Sequence, residues 1–180
     1  VGPVSLGGAA RTISIPSAGL TATFNGTLST SVTGATALTK EGAGTLTLNA
    51  STTYAGGTTI NAGTLLLGAA DRLLDAGLLT IDTGGTFDLG GFSETVGAVT
   101  LTNGTIANGT LTGTGYAVRA GTVSGILAGT GGIAKTTSGV VALSVANTFS
   151  GPVSVTAGKL LAPFEVELLD GAQSTPITSQ

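Results

Sequence analysis

The chain contains no cysteine, histidine, methionine or tryptophan, and only 8% of its residues are charged. Without cysteine there are no disulfide staples and no thiolate metal sites, although this says nothing of the redox compartment. Without histidine the commonest general base and the commonest metal ligand are missing. Six Lys and Arg against nine Asp and Glu leave a net charge of −3. They form no basic stripe of the kind a nucleic-acid binder needs. Long apolar runs are also lacking. Thr, Asn and Gly interrupt every stretch before the ~18 residues a spanning helix requires. The chain opens on Val1 rather than an initiator methionine, which fits a mature product after signal removal or a fragment of a longer chain.

What is present is glycine (31 residues), abundant threonine, and a long segment that occurs twice. Residues 38–68 read LTKEGAGTLTLNASTTYAGGTTINAGTLLLG, and residues 133–163 read IAKTTSGVVALSVANTFSGPVSVTAGKLLAP. They align without a gap from 38 to 133, an offset of 95 residues. Lys40 falls on Lys135, Gly44 on Gly139, Tyr54 on Phe149 and Ala62-Gly63 on Ala157-Gly158. Self-similarity at a fixed spacing marks a chain built by stacking units.

Helical periodicity is almost absent. Runs such as Thr45-Leu46-Thr47-Leu48, Phe87-Asp88-Leu89, Val99-Thr100-Leu101 and Val153-Ser154-Val155 alternate with period two, so they read as short strands with one buried face. Asn25-Gly26, Gly56-Gly57, Gly90-Gly91, Asn103-Gly104 and Asn108-Gly109 turn the chain between such runs. These signals come closer together than hairpins of a sandwich allow, and a parallel β-solenoid accommodates them. A coil of about 20 residues makes roughly nine coils and a rod on the order of 40 Å.

The inward columns are expected to hold Ile13, Ile15, Leu20, Phe24, Leu46, Leu48, Ile60, Leu65, Leu67, Leu79, Ile81, Phe87, Leu89, Val99, Leu101, Ile106, Leu111, Val118, Val123, Val141, Leu143, Val153, Val155 and Leu160. Outward Thr and Ser are expected to form hydroxyl ladders. Residues 69–75 (AADRLLD) read as a helical turn or a small excursion from the rod. Residues 1–163 form one solenoid domain in this reading. Residues 164–180 (FEVELLDGAQSTPITSQ) form a C-terminal cap or a strand exchanged with a neighbour. The open ends of a solenoid expose unpaired backbone groups, and no amphipathic capping helix is evident in residues 1–30.

At this stage the residues resemble a known family. GAGTLTLNASTTYAGGTTINAGTLLLG (42–68) resembles the autotransporter-associated β-strand repeat, also called the passenger-associated transport repeat. TFDLGGFSETVGAVTLTNGTI (86–106) resembles the stretch that follows that repeat in the same proteins. The copy at 133–163 departs from the pattern, with Pro152 where the first has Gly57. The resemblance covers most of residues 20–163. It implies a secreted, right-handed parallel β-helix of bacterial surface proteins and brings no catalytic site. The C-terminal membrane barrel of such proteins, with its recurrent strands and aromatic girdles, is not in this sequence.

Several motifs have a chemical reading and a plainer one. Asp82-Thr83-Gly84 is the triplet of aspartic proteases, but that chemistry needs two carboxylates sharing a proton, and a turn is the simpler account. Gly129-Thr130-Gly131-Gly132-Ile133-Ala134 fits a loose dinucleotide-binding pattern without the following helix that would aim amides at phosphate, so it reads as a corner. Asp71, Asp75, Asp82 and Asp88 invite a calcium site but lack regular spacing. Asn25, Asn49, Asn103 and Asn108 head glycosylation acceptor triplets that also arise by chance in a Thr-rich chain. Lys40 and Lys135 occupy equivalent positions; a nucleophilic or binding role is open to them, but they read more simply as surface lysines guarding a strand edge or lining a groove.

No catalytic, cofactor-binding or metal-ligating residue is therefore assigned, and no cofactor is expected. Three functions follow. The foremost is a non-enzymatic subunit of an extracellular filament, with head-to-tail stacking of copies satisfying the open ends. The second is a stalk or adhesin passenger segment of an autotransporter-like surface protein, with host or cell-surface glycans as partners. The third, a polysaccharide-active β-helix enzyme, rests on fold analogy alone. No nucleic-acid partner and no membrane-spanning segment is expected. The expected location is extracellular or at the cell surface.

Overall fold

A computed structural model describes residues 4–29, 36–82 and 84–163. Two parallel sheets of eight strands form the long walls of the rod. The first holds Arg11–Ser14, Leu38–Glu41, Thr58–Ile60, Leu79–Ile81, Ala98–Leu101, Gly115–Val118, Ile133–Lys135 and Val153–Val155. The second holds Thr21–Phe24, Thr45–Leu48, Gly63–Leu67, Gly85–Asp88, Gly104–Ala107, Gly121–Val123, Val140–Leu143 and Lys159–Leu161. A third wall is partly formed by Ser93–Thr95, Thr110–Thr112 and Ile126–Ala128, with Val4–Ser5 and Leu28–Ser29 paired at the N-terminal end. The described residues contain no helix.

The first wall advances by seven register steps from Arg11 to Val153. That makes a solenoid of about seven turns and, at the usual interstrand spacing, roughly 35 Å of rise. The expectation of nine coils divided the whole chain into equal turns. The walls occupy only 11–161, and their first step, Arg11 to Leu38, takes 27 residues. Later steps run Leu38, Thr58, Leu79, Val99, Tyr116, Ile133, of 20, 21, 20, 17 and 17 residues. The 95-residue offset between the two copies is therefore five coils.

Period-two alternation dictates which side chains meet. On the second wall Ala22, Leu46, Leu65, Phe87, Ile106, Val123 and Leu143 lie in one inward column. All but Ala22 are buried. Each fully buried aliphatic side chain contributes about 2 kcal/mol. One residue along, Thr21, Thr45, Thr64, Thr86, Thr105 and Thr122 form an outward threonine ladder six coils long. Thr12, Thr39, Thr59, Thr80 and Thr100 do the same on the first wall. The β-branched, hydroxylated side chain suits such a pleated face without needing charge.

Two expected core residues are exposed. Leu20 (53% exposed) has the right parity with Ala22 and Phe24 but sits on the corner closed by its own amide donating to the Ser17 carbonyl. Val155 (42% exposed) stands at the end of its column, with the Lys135 coil on one side. Ile13, Phe24 and Val153 are only partly buried, again on end coils. Of the third wall and the excursion beside it, only Leu111 was foreseen in the core. They add Leu28, Leu73 and Leu127, and Tyr54 and Tyr116 are buried as well. Residues 68–78 leave the coil as an irregular excursion, without the helical turn considered above. The cap or exchanged strand assigned to 164–180 lies outside the described residues.

Corner glycines carry the close approach of successive coils. Gly63 has φ +64°, in the left-handed region, and an added Cβ would strike the carbonyl oxygens of Gly42 and Gly44 in the preceding corner. Its counterpart Gly158 has φ +74° and would strike those of Thr137 and Gly139. Gly63→Ala is expected to destabilise the chain by about 2 kcal/mol, from left-handed strain together with the clash. Gly84→Ala meets nothing nearby and should cost about 1 kcal/mol for its φ alone. Chemical denaturation of the two variants compares these costs.

Candidate functional site: polar groups inside the rod

The inward column at the end of each first-wall strand runs Ile13, Lys40, Ile60, Ile81, Leu101, Val118, Lys135, Val155. Two lysines thus interrupt an aliphatic ladder, and both are fully buried. This corrects the surface reading of Lys40 and Lys135. The clue was available in sequence: Lys40 shares the parity of Leu38, and Lys135 that of Ile133, in both copies.

An ammonium has three protons, and at Lys40 three carbonyls take them. Its Nζ donates to Glu41 O at 2.8 Å, to Gly42 O at 2.8 Å and to Ala62 O at 3.1 Å. Burial pushes the Lys40 pKa down, and the neighbouring Glu41 charge opposes that shift. Lys135 Nζ donates to Thr137 O, to Thr137 Oγ1 at 3.2 Å and to Ala157 O at 3.2 Å. Thr137 Oγ1 passes the chain on by donating to Arg119 O at 2.9 Å. Each lysine therefore binds its own corner and, through Ala62 or Ala157, the corner of the next coil. Where two residues turn the corner, at 61–62, 102–103 and 119–120, the preceding inward residue is Ile60, Leu101 or Val118. The wider corners at 42–44 and 136–139 carry the lysines. The 82–84 corner is also wide and follows Ile81, so width alone does not demand a lysine.

A third buried charge, Glu94, was not singled out in the sequence, although it shares the parity of Val96. It lies on the third wall, fully buried and in register with Leu111. Its carboxylate accepts from the backbone amides of Arg72 at 2.7 Å and Leu73 at 3.1 Å. Burial raises its pKa to about 7. Those two amides oppose the shift, and Asp71 and Asp75 add to it.

The buried tyrosines are satisfied locally. Tyr54 OH pairs with Thr58 Oγ1 at 2.7 Å, and burial pushes its pKa up to about 12. Tyr116 OH accepts from Gly113 N–H at 2.7 Å and lies 2.7 Å from the carbonyls of both Leu111 and Ala128, one of which takes its single proton. Phe149, which replaces Tyr54 in the second copy, packs obliquely on Tyr116 with ring centres 6.3 Å apart.

The motifs singled out in sequence are spread along the rod. Asp82 turns a corner, with its amide on Ile60 O and its carbonyl accepting from Gly85 N–H. Residues 129–132 lead into the strand Ile133–Lys135, not a helix, and Gly131 is pressed against the backbone of Thr114 and Gly115. Asp88 accepts from Gly90 N–H and from the Asn108 side-chain amide, whereas Asp71 and Asp75 lie on the excursion. Among the described residues no three carboxylates converge on a common point. Asn49 donates to Asn25 Oδ1 at 2.6 Å, and Asn108 has φ +57°. Asn25 and Asn49 thus join successive coils, and Asn108 takes a left-handed turn position.

The geometry defines an all-β parallel solenoid whose buried polar groups staple coils together. The protein carries two passenger-associated-transport repeats, matched at residues 38–67 and 133–162. The matched unit is longer than one coil, and each unit contains its lysine and the alanine carbonyl that the lysine binds one coil later. The chain is also similar to the adhesin BmaC autotransporter of Brucella suis biovar 1 (strain 1330). They are 36% identical over 161 residues, which cover 84% of this chain and 5% of that protein. The chain thus spans about a twentieth of the curated relative's length. No solved structure matches it.

Proposed function

We propose that this chain is a stalk or adhesin passenger segment of an autotransporter-like surface protein, a non-enzymatic right-handed rod that works at the cell surface. The observation carrying this reading is the similarity to an adhesin autotransporter across 84% of the chain, together with the two passenger repeats. The handedness follows the strong preference of parallel crossovers. The filament reading, ranked first from sequence, needs solenoid ends that stay open. Within a longer passenger, neighbouring coils of the same chain would cover them instead. The interior favours a mechanical role too: its buried charges are engaged with backbone groups rather than gathered in a cleft.

Two measurements test this. Antibodies raised against the rod should label intact cells of the source organism; labelling only after permeabilisation would refute a surface role. Light scattering of the purified chain at high concentration should report a monomer. Fibres growing with concentration would restore the filament.

A further inference from the structure

The sequence has six asparagines, and the fold commits the side-chain amides of five. Asn49 Nδ2 donates to Asn25 Oδ1 at 2.6 Å, one coil back. Asn61 Nδ2 donates to the Glu41 carboxylate at 2.5 Å. Asn108 Nδ2 donates to both Asp88 oxygens, at 3.1 and 3.0 Å. Asn147 accepts from Leu127 N–H at 2.8 Å and donates to Val145 O at 3.0 Å. Asn103 is the exception. Among the described residues its side chain has no hydrogen-bond partner, and it is exposed on the two-residue corner 102–103.

The residue that follows matters equally. Asn25, Asn103 and Asn108 each precede glycine, which has no Cβ to hinder its own nitrogen from reaching the asparagine side chain. All three are exposed, so hydrogen bonding rather than exposure ranks them. Asn25 is held through its Oδ1 and Asn108 through its Nδ2. The Gly104 amide is not held by the ladder either. It bonds to neither Gly84 O nor Ala120 O, the carbonyls that flank it in the stack.

We propose that Asn103 is a site of spontaneous deamidation, an intramolecular reaction with water as the sole co-reactant. The Gly104 nitrogen attacks Asn103 Cγ. The N–Cγ bond forms, the Gly104 amide proton passes through solvent to the leaving nitrogen, and ammonia departs from a succinimide ring. Water then opens the ring. Addition at Cγ gives aspartate. Addition at the former backbone carbonyl carbon gives isoaspartate, in which the chain runs through the side chain and is one methylene longer. Nothing is oxidised or reduced. The stack has no room for that methylene. An added Cβ on Gly104 would strike Gly85 O, Asp82 O and the Ile81 side chain of the preceding coil, so the strand Gly104–Ala107 enters its wall in close contact. Isoaspartate should unseat this corner, whereas aspartate keeps the ordinary backbone.

Peptide mapping by mass spectrometry, after incubating the whole chain in warm, mildly alkaline buffer, reads the site directly. Asn103 is expected to gain one mass unit at least about tenfold faster than Asn25 or Asn108, because those two must first break a side-chain hydrogen bond. In urea the three pairs should convert at similar rates, since the ordering belongs to the fold. Asp88→Ala frees Asn108 and should raise its rate towards that of Asn103. A non-specific protease should cut the aged chain near residues 102–104 and spare Asn103→Asp, which carries the charge without the longer backbone. Native-state conversion at Asn103 no faster than at Asn25 or Asn108 overturns the proposal, as does an unmoved Asn108 rate in Asp88→Ala. Equal resistance of the aged chain and Asn103→Asp overturns the unseating of the corner.

Discussion

Replacing Lys40 and Lys135 together by methionine is expected to lower the unfolding free energy by about 5 kcal/mol, with each single change costing about half. Methionine fills the same inward column with a side chain of similar length, so packing is nearly kept. What is lost is the donor. At position 40 the carbonyls of Glu41, Gly42 and Ala62 are left facing a thioether; at 135 it is those of Thr137 and Ala157. A buried acceptor without a partner costs about 1–3 kcal/mol. Relief from burying an ammonium offsets part of that, hence the estimate of about 2.5 kcal/mol per site. The lysines are five coils apart, roughly 24 Å, so the two losses should add. Urea unfolding would show this as a lower midpoint at unchanged slope. A double variant within about 1 kcal/mol of the parent would mean that the lysines are passengers in the core rather than staples.

Leu48→Asp should cost about 4 kcal/mol by placing a carboxylate in a dry column. Leu48 is fully buried between Phe24 of the preceding coil and Leu67 of the next. No cation is seen bonding into that column among the described residues; the Lys40 Nζ is already fully engaged. Thr47→Asp, one residue away on the outer face, should change stability by no more than about 0.5 kcal/mol. Melting curves of the pair therefore test the direction of every side chain in the strand. If Leu48→Asp melted with the parent, the inward assignment of this wall would be wrong. Leu143→Asp should be milder, because Leu143 is slightly exposed near the C-terminal end of the described rod.

Both predictions rest on features of unequal legibility. Leu48 announced itself: Thr45-Leu46-Thr47-Leu48 alternates, and alternation alone assigns its face once a strand forms. Lys40 was half legible, because its parity with Leu38 pointed inward while its charge argued for the surface. Charge gave the wrong answer there because the carbonyls that accept the ammonium come partly from Ala62, 22 residues on. Leu20 and Val155 failed for a related reason. Their parity was inward, but a corner and a chain-end coil left them uncovered.

The parallel coils, the inward and outward columns and the return of the repeat after 95 residues were written into the residue order, because alternation, corner glycines and self-similarity are local properties of a chain. The number of coils, the cage around each lysine and the seat of Glu94 beneath residues 68–78 emerged only on folding. Those features depend on which backbone groups a coil sets against its neighbour some 17 to 21 residues later. Glu94 shows the difference most plainly. Its burial is set by two amides that the excursion leaves without carbonyl partners, and an orphaned amide has no signature in the order of amino acids.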